Sequence, residues 1–270
     1  MNPQPVPLLA PSPAPPAPQS EAAELDVSVL IPVRDEADTV EELSARVASV
    51  LDRLGLSFEI IFVDDGSGDG TPKRVKAARE RDPRVKLVRL RRNFGKAAAL
   101  CAGFDYSNGR IIITMDGDLQ DDPEEIPRFL ETLEEQDLDL VSGWKRQRQD
   151  PASKRLPSKL FNWVTRKLAQ VNLHDFNCGF KAYRREVLAE IAVYGELHRY
   201  IPVLAHYRGY RVTELPVNHR PRTHGQSHYG VWNRLAVGIV DLVGVMWLRR
   251  RARLTVAERI TAEGESNDGT

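Results

Sequence analysis

The chain has 270 residues, enough for one large domain or two small ones. Lysine plus arginine and aspartate plus glutamate each total 38, so the net charge neither favours nor excludes nucleic acid. No long basic tract lies upstream of the last predicted helix, and we expect no nucleic acid partner. The two cysteines, Cys101 and Cys178, lack metal-ligand spacing and indicate a reducing compartment without a disulfide framework.

Four segments are expected along the chain. Residues 1–24 are crowded with proline and alanine, lack the basic start and apolar core of a signal peptide, and are predicted to form a disordered tail. Residues 25–230 are expected to form the folded domain, and 231–254 an amphipathic helix. The polar residues 255–270 are predicted to be a second disordered tail.

Apolar runs and helical patterns alternate through the first half of the domain. Strands are predicted at Val27–Val33, Phe58–Val63, Val85–Leu90, Ile111–Met115 and Leu138–Trp144. Helices are predicted between them at 38–54, 71–81, 96–106 and 123–136, the last with Asp122 as N-cap and Pro123 at its first position. This alternation, with nearly continuous valine and isoleucine strands, predicts an α/β fold whose mostly parallel sheet is covered on both faces.

The pattern changes after Trp144. Residues 145–158 are basic and polar and are predicted to form a loop. Further helices are predicted at Lys159–Val171, near Arg184–Val193 and near Leu197–Arg208, and a strand at Arg211–Val217. These segments could supply a group that closes a site built on the first half.

The last predicted helix is amphipathic and is followed by arginines. Its larger apolar residues recur at helical spacing; these residues are Trp232, Leu235, Ile239, Leu242 and Met246. The apolar run is too short and too interrupted to span a membrane. Arg249–Arg251 and Arg253 follow at once. Such a helix can lie on an anionic membrane surface, or it can dock on the core or on a partner subunit.

Two carboxylates follow directly after a predicted buried strand. Asp116 and Asp118 are separated by Gly117, a spacing that puts two oxygen ligands at the carboxyl edge of the sheet. Mg²⁺ is commonly held by one or two carboxylates together with substrate phosphates. Polar segments also follow the first three strands, at 31–36, 63–71 and 92–96. Parallel strands would bring all of these segments to the same edge of the sheet.

The glycines at 66, 68 and 70 imitate a dinucleotide-binding turn. That motif brings bare amides and a helix N-terminus up to a pyrophosphate, whereas Asp64, Asp65 and Asp69 would repel phosphate here. A carboxylate at a strand end is better placed to accept hydrogen bonds from a base or from ribose hydroxyls. One of Asp64 and Asp65 is expected to serve only the turn or to cap the helix.

Together the motifs resemble those of glycosyltransferase family 2. They are Pro32-x-Arg34-Asp35-Glu36, the run from Val63 to Thr71, Arg92-Asn93-x-Gly95-Lys96 and Asp116-Gly-Asp118-x-Gln120. Asp175-x-x-x-Gly179-Phe180-Lys181 and the run from Arg220 to Tyr229 resemble the polyprenyl- and dolichyl-phosphate sugar transferase branch. The resemblance covers about residues 25–250.

The resemblance implies a GT-A fold for 25–230, a UDP- or GDP-sugar donor and Mg²⁺ or Mn²⁺ held by Asp116 and Asp118. It implies donor contacts from Pro32, Arg34, Glu36, Asp64, Asp65, Arg92, Lys96, Asp116 and Gln120. Asp118 and Asp175 are the implied catalytic residues, and the implied acceptor-phosphate set is Arg220, Arg222, Ser227 and Tyr229.

The chain departs from the branch's pattern at two places, and only the second concerns delivery of a lipid acceptor. Arg34-Asp35-Glu36 stands where Tyr-Asn-Glu is common, although Glu36 is kept. Many members carry transmembrane helices after the catalytic domain, where this chain shows one amphipathic helix and an arginine cluster.

Three functions remain open at this point. The first is an inverting transferase at the cytoplasmic face of the membrane that glycosylates polyprenyl phosphate, held by its C-terminal helix or by a separate membrane protein. The second is a soluble transferase that glycosylates a saccharide or protein hydroxyl, and the third an idle nucleotide-sugar-binding module. With a lipid phosphate acceptor Asp175 would orient groups or balance charge, and with a hydroxyl acceptor it is a candidate general base. It could also be only a helix cap beside the 177–179 turn.

Overall fold

The computed structural model describes residues 25–146, 162, 164–191, 197–218, 241 and 243–247. A seven-stranded sheet with the order β3-β2-β1-β4-β6-β5-β7 forms its framework. The strands are β1 (Leu25–Val33), β2 (Phe58–Asp64), β3 (Val85–Arg89), β4 (Gly109–Thr114), β5 (Leu140–Trp144), β6 (Lys181–Arg184) and β7 (Val212–Pro216).

The sheet is mixed but mainly parallel. Strands β1 to β4 are parallel to one another, as are β5 and β7, whereas β6 lies antiparallel between β4 and β5. The predicted mostly parallel sheet is thus confirmed, while the antiparallel strand β6 was not predicted. The register pairs Thr114 with Lys181, which sets the start of β6 beside the carboxyl end of β4.

Helices cover both faces of the sheet. They are α1 (Val40–Leu54), α2 (Thr71–Arg81), α3 (Lys96–Asp105), α4 (Ile126–Glu135), α5 (Arg185–Ala189) and α6 (Ile201–Tyr207). A 3₁₀ turn at Pro123–Glu125 precedes α4, and another at Leu197–Tyr200 precedes α6. Residues 164–169 are also helical.

Alternate residues of the central strands enter opposite hydrophobic layers. Ile111 and Ile113 pack with residues of α1, α2 and α4, whereas Ile112 packs with residues of α3, α5 and α6. All seven residues of β2 are buried. Strands buried on both faces favour apolar residues at nearly every position, which explains the valine and isoleucine runs; in β2 the exceptions are Glu59 and Asp64.

Helix ends follow the expected chemistry. Helix α1 ends at Gly55, whose φ of 68° is the left-handed conformation that glycine adopts without strain. The side chain of Asp122 accepts a hydrogen bond from the Glu124 N–H, so the predicted cap is present at the 3₁₀ turn before α4.

A third apolar cluster joins the second half of the chain to the C-terminal helix. Val245 is fully buried and packs in a cluster with Phe176 and Tyr200. Val243 and Trp247 of the same segment are 63% and 60% exposed. Within the residues described, none of the helices has the length and apolar character needed to cross a membrane.

Candidate active site

The loops that follow β1, β2, β3 and β4 meet at the carboxyl edge of the sheet. The Asp35 N–H donates to Ser67 Oγ at 3.0 Å, and the Glu36 N–H donates to Thr71 Oγ1 at 2.9 Å. The hydroxyl of Thr39 donates to the Gly117 carbonyl at 2.6 Å, which ties the start of α1 to the loop after β4. The predicted convergence of the four segments is therefore present in the structure.

Asp116 lies at the centre of this edge. Its side chain is 28% exposed and forms an ion pair with Lys96, the first residue of α3. Its backbone N–H donates to Asp121 Oδ2 at 3.1 Å, which fixes the position of the residue. Burial raises the pKa of Asp116, but the charges of Lys96 and Lys145 outweigh burial and hold the pKa below its ordinary value. The carboxylate is therefore anionic at neutral pH.

Two glycines bring other chain segments close to the Asp116–Asp118 loop. A Cβ on Gly117 would lie 2.7 Å from Val33 Cγ1, so the loop packs directly on β1. A Cβ on Gly179 would lie 2.5 Å from Asp116 Oδ1 and 2.7 Å from its other carboxylate oxygen. Only glycine at 179 allows the backbone to lie against the carboxylate.

Asp118 is 8% exposed, and its Oδ1 accepts a hydrogen bond from the Gln120 N–H at 3.1 Å. Gln120 is partly buried, and Leu119 between them has a φ of 60°. A positive φ in a bulky residue is strained and persists only where the surroundings enforce it. The strain therefore marks a loop whose shape is imposed by its surroundings.

The residues predicted to contact the donor lie in the first three loops. Pro32 and Glu36 are partly buried, and Arg34 is exposed. Asp65 is 6% exposed and accepts hydrogen bonds from the Phe94 and Gly95 N–H groups at 2.7 and 2.9 Å, which bind the second loop to the third.

Asp64 and Arg92 contrast in accessibility. Asp64 is fully buried, accepts a hydrogen bond from the Ser67 N–H at 3.1 Å and contacts Arg89 Nε at 3.2 Å. Both neighbouring aspartates thus support loops, where a supporting role was expected of one. Arg92 is exposed, with its guanidinium 4.1 Å from the ring centroid of Phe94. The donor contacts remain predictions.

Asp175 lies in the same region but is 2% exposed. Its Oδ1 accepts from the Asn177 N–H at 3.0 Å, and its Oδ2 from the Lys145 N–H at 3.4 Å. The first bond lies within the turn, and among the described residues no helix begins beside Asp175, so the helix cap that the sequence left open is not present. The predicted acceptor residues Arg220, Arg222, Ser227 and Tyr229 lie outside the described residues.

A buried ion pair behind Asp116 was not predicted from the sequence. Lys145 Nζ lies 3.0 Å from Asp121 Oδ1, and the two side chains are 10% and 1% exposed. Burial lowers the pKa of Lys145, but the surrounding negative charges, that of Asp121 first, together with the hydrogen bond to Asp121 outweigh burial, and the pKa is raised. Through Asp121 the pair holds the Asp116 backbone, and through its own N–H Lys145 holds Asp175. The only signal for Asp121 was its place in an acidic run.

The residues described contain no cluster of three or more histidine, cysteine, aspartate or glutamate side chains that could hold a metal ion. The fit to a divalent cation therefore depends on a smaller donor set. Asp116 offers an ionised, partly exposed carboxylate with oxygen donors, and Asp118 a second carboxylate two residues away. Two carboxylates completed by substrate phosphates are a common Mg²⁺ site, and Mn²⁺ accepts the same ligands.

An α/β fold with acidic and basic groups gathered at its carboxyl edge is typical of a nucleotide-dependent enzyme. A family model described as glycosyl transferase family 2 matches residues 28–192, from within β1 to beyond β6. The chain therefore belongs to glycosyltransferase family 2, an assignment that confirms the resemblance seen in the sequence.

Two relatives extend the match beyond that range. The chain is 38% identical over 230 residues to a dodecaprenyl-phosphate galacturonate synthase of Rhizobium johnstonii, covering 84% of this chain and 68% of that protein. It is 41% identical over 221 residues to an undecaprenyl-phosphate 4-deoxy-4-formamido-L-arabinose transferase of Pseudomonas aeruginosa, covering 82% of this chain and 65% of that protein. The matched regions thus span about two thirds of these relatives.

Solved structures share the fold. A glucosyl-3-phosphoglycerate synthase from Mycobacterium tuberculosis, solved with Mn²⁺ and UDP-glucose, superposes with a TM-score of 0.64 at 19% identity, covering 83% of this chain and 79% of that one. A mannosyltransferase from Pyrobaculum calidifontis, solved with GDP-mannose and Mn²⁺, gives 0.59 at 20% identity, covering 82% and 65%. At these identities the likeness concerns the fold, and it confirms the expected architecture.

Proposed function

We propose that this glycosyltransferase moves a sugar from a nucleotide-diphosphate donor to the phosphate of a polyprenyl lipid. The observation that carries the proposal is the identity of 38% and 41% to two enzymes named for polyprenyl-phosphate acceptors, over more than 80% of the chain. The candidate site lies within the matched region. The sugar and the base of the nucleotide are left to experiment.

Asp116 and Asp118 would hold Mg²⁺ or Mn²⁺ against the two phosphates of the donor. A bound divalent cation supplies charge neutralisation and orientation for the leaving diphosphate. Lys96, beside Asp116, adds a positive charge on the same side of the site. The other proposed donor contacts are Pro32, Arg34, Glu36, Asp64, Asp65, Arg92 and Gln120.

Asp175 acts in this proposal as an orienting residue. An inverting displacement at the anomeric carbon needs an acceptor oxygen that is already anionic or becomes so. A lipid phosphate is anionic near neutral pH and needs no strong base. The burial of Asp175 and its two backbone hydrogen bonds agree with a group that holds Lys145 and the 177–179 turn in place. A hydroxyl acceptor would instead require a base open to substrate.

The C-terminal helix is the proposed membrane contact. Val245 anchors the segment to the core, while Val243 and Trp247 present apolar side chains outward. Arginines 249–251 and 253 follow in the sequence. An exposed apolar face next to arginines favours an anionic lipid surface. We place the enzyme at the cytoplasmic face of the membrane, bound peripherally or through a separate membrane protein.

A transfer assay tests the reaction. Thermal shift against UDP- and GDP-sugars with and without Mn²⁺ first identifies the donor, because a ligand that binds the folded state raises the melting temperature. Transfer of the labelled sugar into undecaprenyl phosphate in phosphatidylglycerol vesicles is then measured. We expect Asp118→Ala to lower kcat/KM on the order of 100-fold or more, and the control Glu124→Gln, at an exposed acid of the next turn, to leave it unchanged.

Either of two results would contradict the proposal. Full transfer by Asp118→Ala would refute the metal site. Label that reaches only water-soluble acceptors would favour a transferase that acts on a saccharide or a protein hydroxyl.

Sedimentation with vesicles separates the same alternatives. We expect the full chain to sediment with anionic vesicles, and to do so less when Trp247 is replaced by serine and the arginines of Arg249–Arg253 by glutamine. A chain that never sediments with vesicles counts against a lipid acceptor.

A further inference from the structure

A narrow cleft adjoins Asp116 on the side of β6. Among the residues that line it are Lys96, Asn177, Gly179, Lys181, His198 and Arg199. Both Gly179 and Lys96 also contact the Asp116 carboxylate, so the cleft opens next to the proposed diphosphate position. Its free space is about 260 Å³ including open solvent at the mouth, and within it the room for a water-sized group is about 10 Å³, enough for roughly one water.

The lining is cationic. Three of the lining residues are lysine or arginine, and in the described part of the chain none of the lining residues is aspartate or glutamate. Lys181 is 3% exposed, on the first position of β6. Its ammonium donates to the Cys178 carbonyl. A carbonyl satisfies a hydrogen bond but not the charge, and the charges of Asp175 and Asp116, which raise the pKa of Lys181, do not offset the burial that lowers it.

His198 lies among these cations. Burial, followed by the charges of Lys96, Arg199 and Lys181, holds the pKa of His198 well below its usual range. The imidazole is therefore neutral near pH 7 and can donate one N–H. A small group of positive charges with one neutral donor at the end of a one-oxygen pocket suits an oxyanion.

We propose that this cleft binds an oxyanion carried by one of the two substrates, either the carboxylate of a transferred uronic acid or the phosphate of the lipid acceptor. The inference rests on the proposed function, because donor and acceptor must then meet beside Asp116. One oxygen of the anion enters the cleft, where the lining residues Lys181, Arg199 and His198 provide charge-assisted hydrogen bonds. The remaining atoms lie in the open mouth.

Two binding measurements on the full chain separate the sources. In the first, calorimetry with Mn²⁺ compares the affinity for UDP-galacturonic acid with that for UDP-galactose, two sugars that differ only in the carboxylate. If the donor carries guanine, GDP-mannuronic acid and GDP-mannose are used in their place. In the second, sedimentation compares phosphatidylcholine vesicles that contain undecaprenyl phosphate or undecaprenol. We expect at least a tenfold preference for the anionic member in one of the two measurements.

Arg199→Gln and Lys181→Gln should reduce that preference about ten- to a hundredfold, the effect of losing a hydrogen bond to a charged group. Arg199→Lys should restore part of it. The control Arg110→Gln removes one positive charge at the opposite end of β4 and should leave the preference unchanged. If Lys181→Gln does not fold, Arg199→Gln and His198→Gln are used for the test, because these two residues are less buried than Lys181.

If the variants lose the preference for the sugar nucleotide with a carboxylate, the cleft binds the donor carboxylate. If they lose the preference for vesicles with undecaprenyl phosphate, the cleft binds the acceptor phosphate. The inference is overturned if the wild type shows neither preference, if the variants keep it, or if they weaken UDP itself by the same factor. Neither measurement needs turnover. A chain that binds the oxyanion but transfers no sugar to lipid therefore refutes the proposed reaction and leaves the cleft assignment standing.

Discussion

Gly179→Ala tests whether the position of the Asp116 carboxylate governs activity. The substitution adds one methyl group at a residue whose φ is not positive, so its effect comes from crowding and not from the backbone. The new Cβ would lie 2.5 Å from Asp116 Oδ1, whereas ordinary van der Waals contact begins at 3.4 Å. The carboxylate must therefore retreat by about 0.9 Å, the difference of these two distances.

The retreat has a large effect on catalysis and a smaller one on stability. Asp116 is held by Lys96 and by the hydrogen bond from its N–H to Asp121, so its side chain cannot move without losing contacts. A misplacement of about 1 Å in a catalytic constellation costs on the order of 100-fold in rate. Overpacking of one methyl group lowers the free energy of unfolding by about 1–3 kcal/mol.

The assay measures kcat/KM for transfer to undecaprenyl phosphate together with Mn²⁺-dependent nucleotide binding. Gly70→Ala is the matched control, because its Cβ would have 3.8 Å to the nearest heavy atom, Ala37 Cβ, in a neighbouring loop of the same edge. We expect Gly70→Ala to remain within about threefold of the wild type. A Gly179→Ala protein that melts normally and transfers sugar at the wild-type rate would show that the Asp116 position is unimportant.

Two further predictions concern stability. Glu59 is 1% exposed and lies at the edge of the sheet opposite the site. Its carboxylate accepts hydrogen bonds from Ser28 Oγ and from the Asn108 N–H, both at 2.6 Å. We therefore expect Glu59→Ala to lower the free energy of unfolding, measured by urea denaturation, by about 2–3 kcal/mol without a change in kcat/KM. Burial raises the pKa of Cys178 from 9.0 to about 12. The folded thiol then keeps its proton while the unfolded one loses it, so this contribution to stability is complete below pH 9 and falls as the pH rises towards 12. Urea midpoints should therefore fall less steeply over that range in Cys178→Ala, and equal slopes would contradict the argument.

Much of the fold could be predicted because its strands carry their signal locally. The run Ile111–Ile113 is apolar at every position, which only a strand buried on both faces requires. Strand β6 gave no such signal, since only Ala182 and Tyr183 lie between the charged Lys181 and Arg184 and the strand follows a glycine-containing turn. Its insertion between β4 and β5 depends on pairing across the fold, which periodicity does not record.

The candidate site was likewise predicted only in part from the sequence. Asp116 and Asp118 were found because a motif follows a strong strand. The partners that set their environment, Asp121 and Lys145, come from separate segments and are recognised only by their burial and their 3.0 Å contact. Asp64 and Asp65 show the converse, because the motif marked both as binding residues while the structure gives each hydrogen bonds that hold loops together.

The place of β6 in the sheet has a consequence for synthesis on the ribosome. Strands β1 to β4 lie within residues 25–114 and can pair as soon as they emerge, but β4 then presents an open edge. Its partner arrives only with residues 181–184, and β5, although translated earlier, pairs with β6 and β7. An unpaired parallel edge is a template for association with other chains. The nascent protein therefore passes through an interval of about 70 residues of elongation in which this edge needs shielding, the difference between 114 and 184.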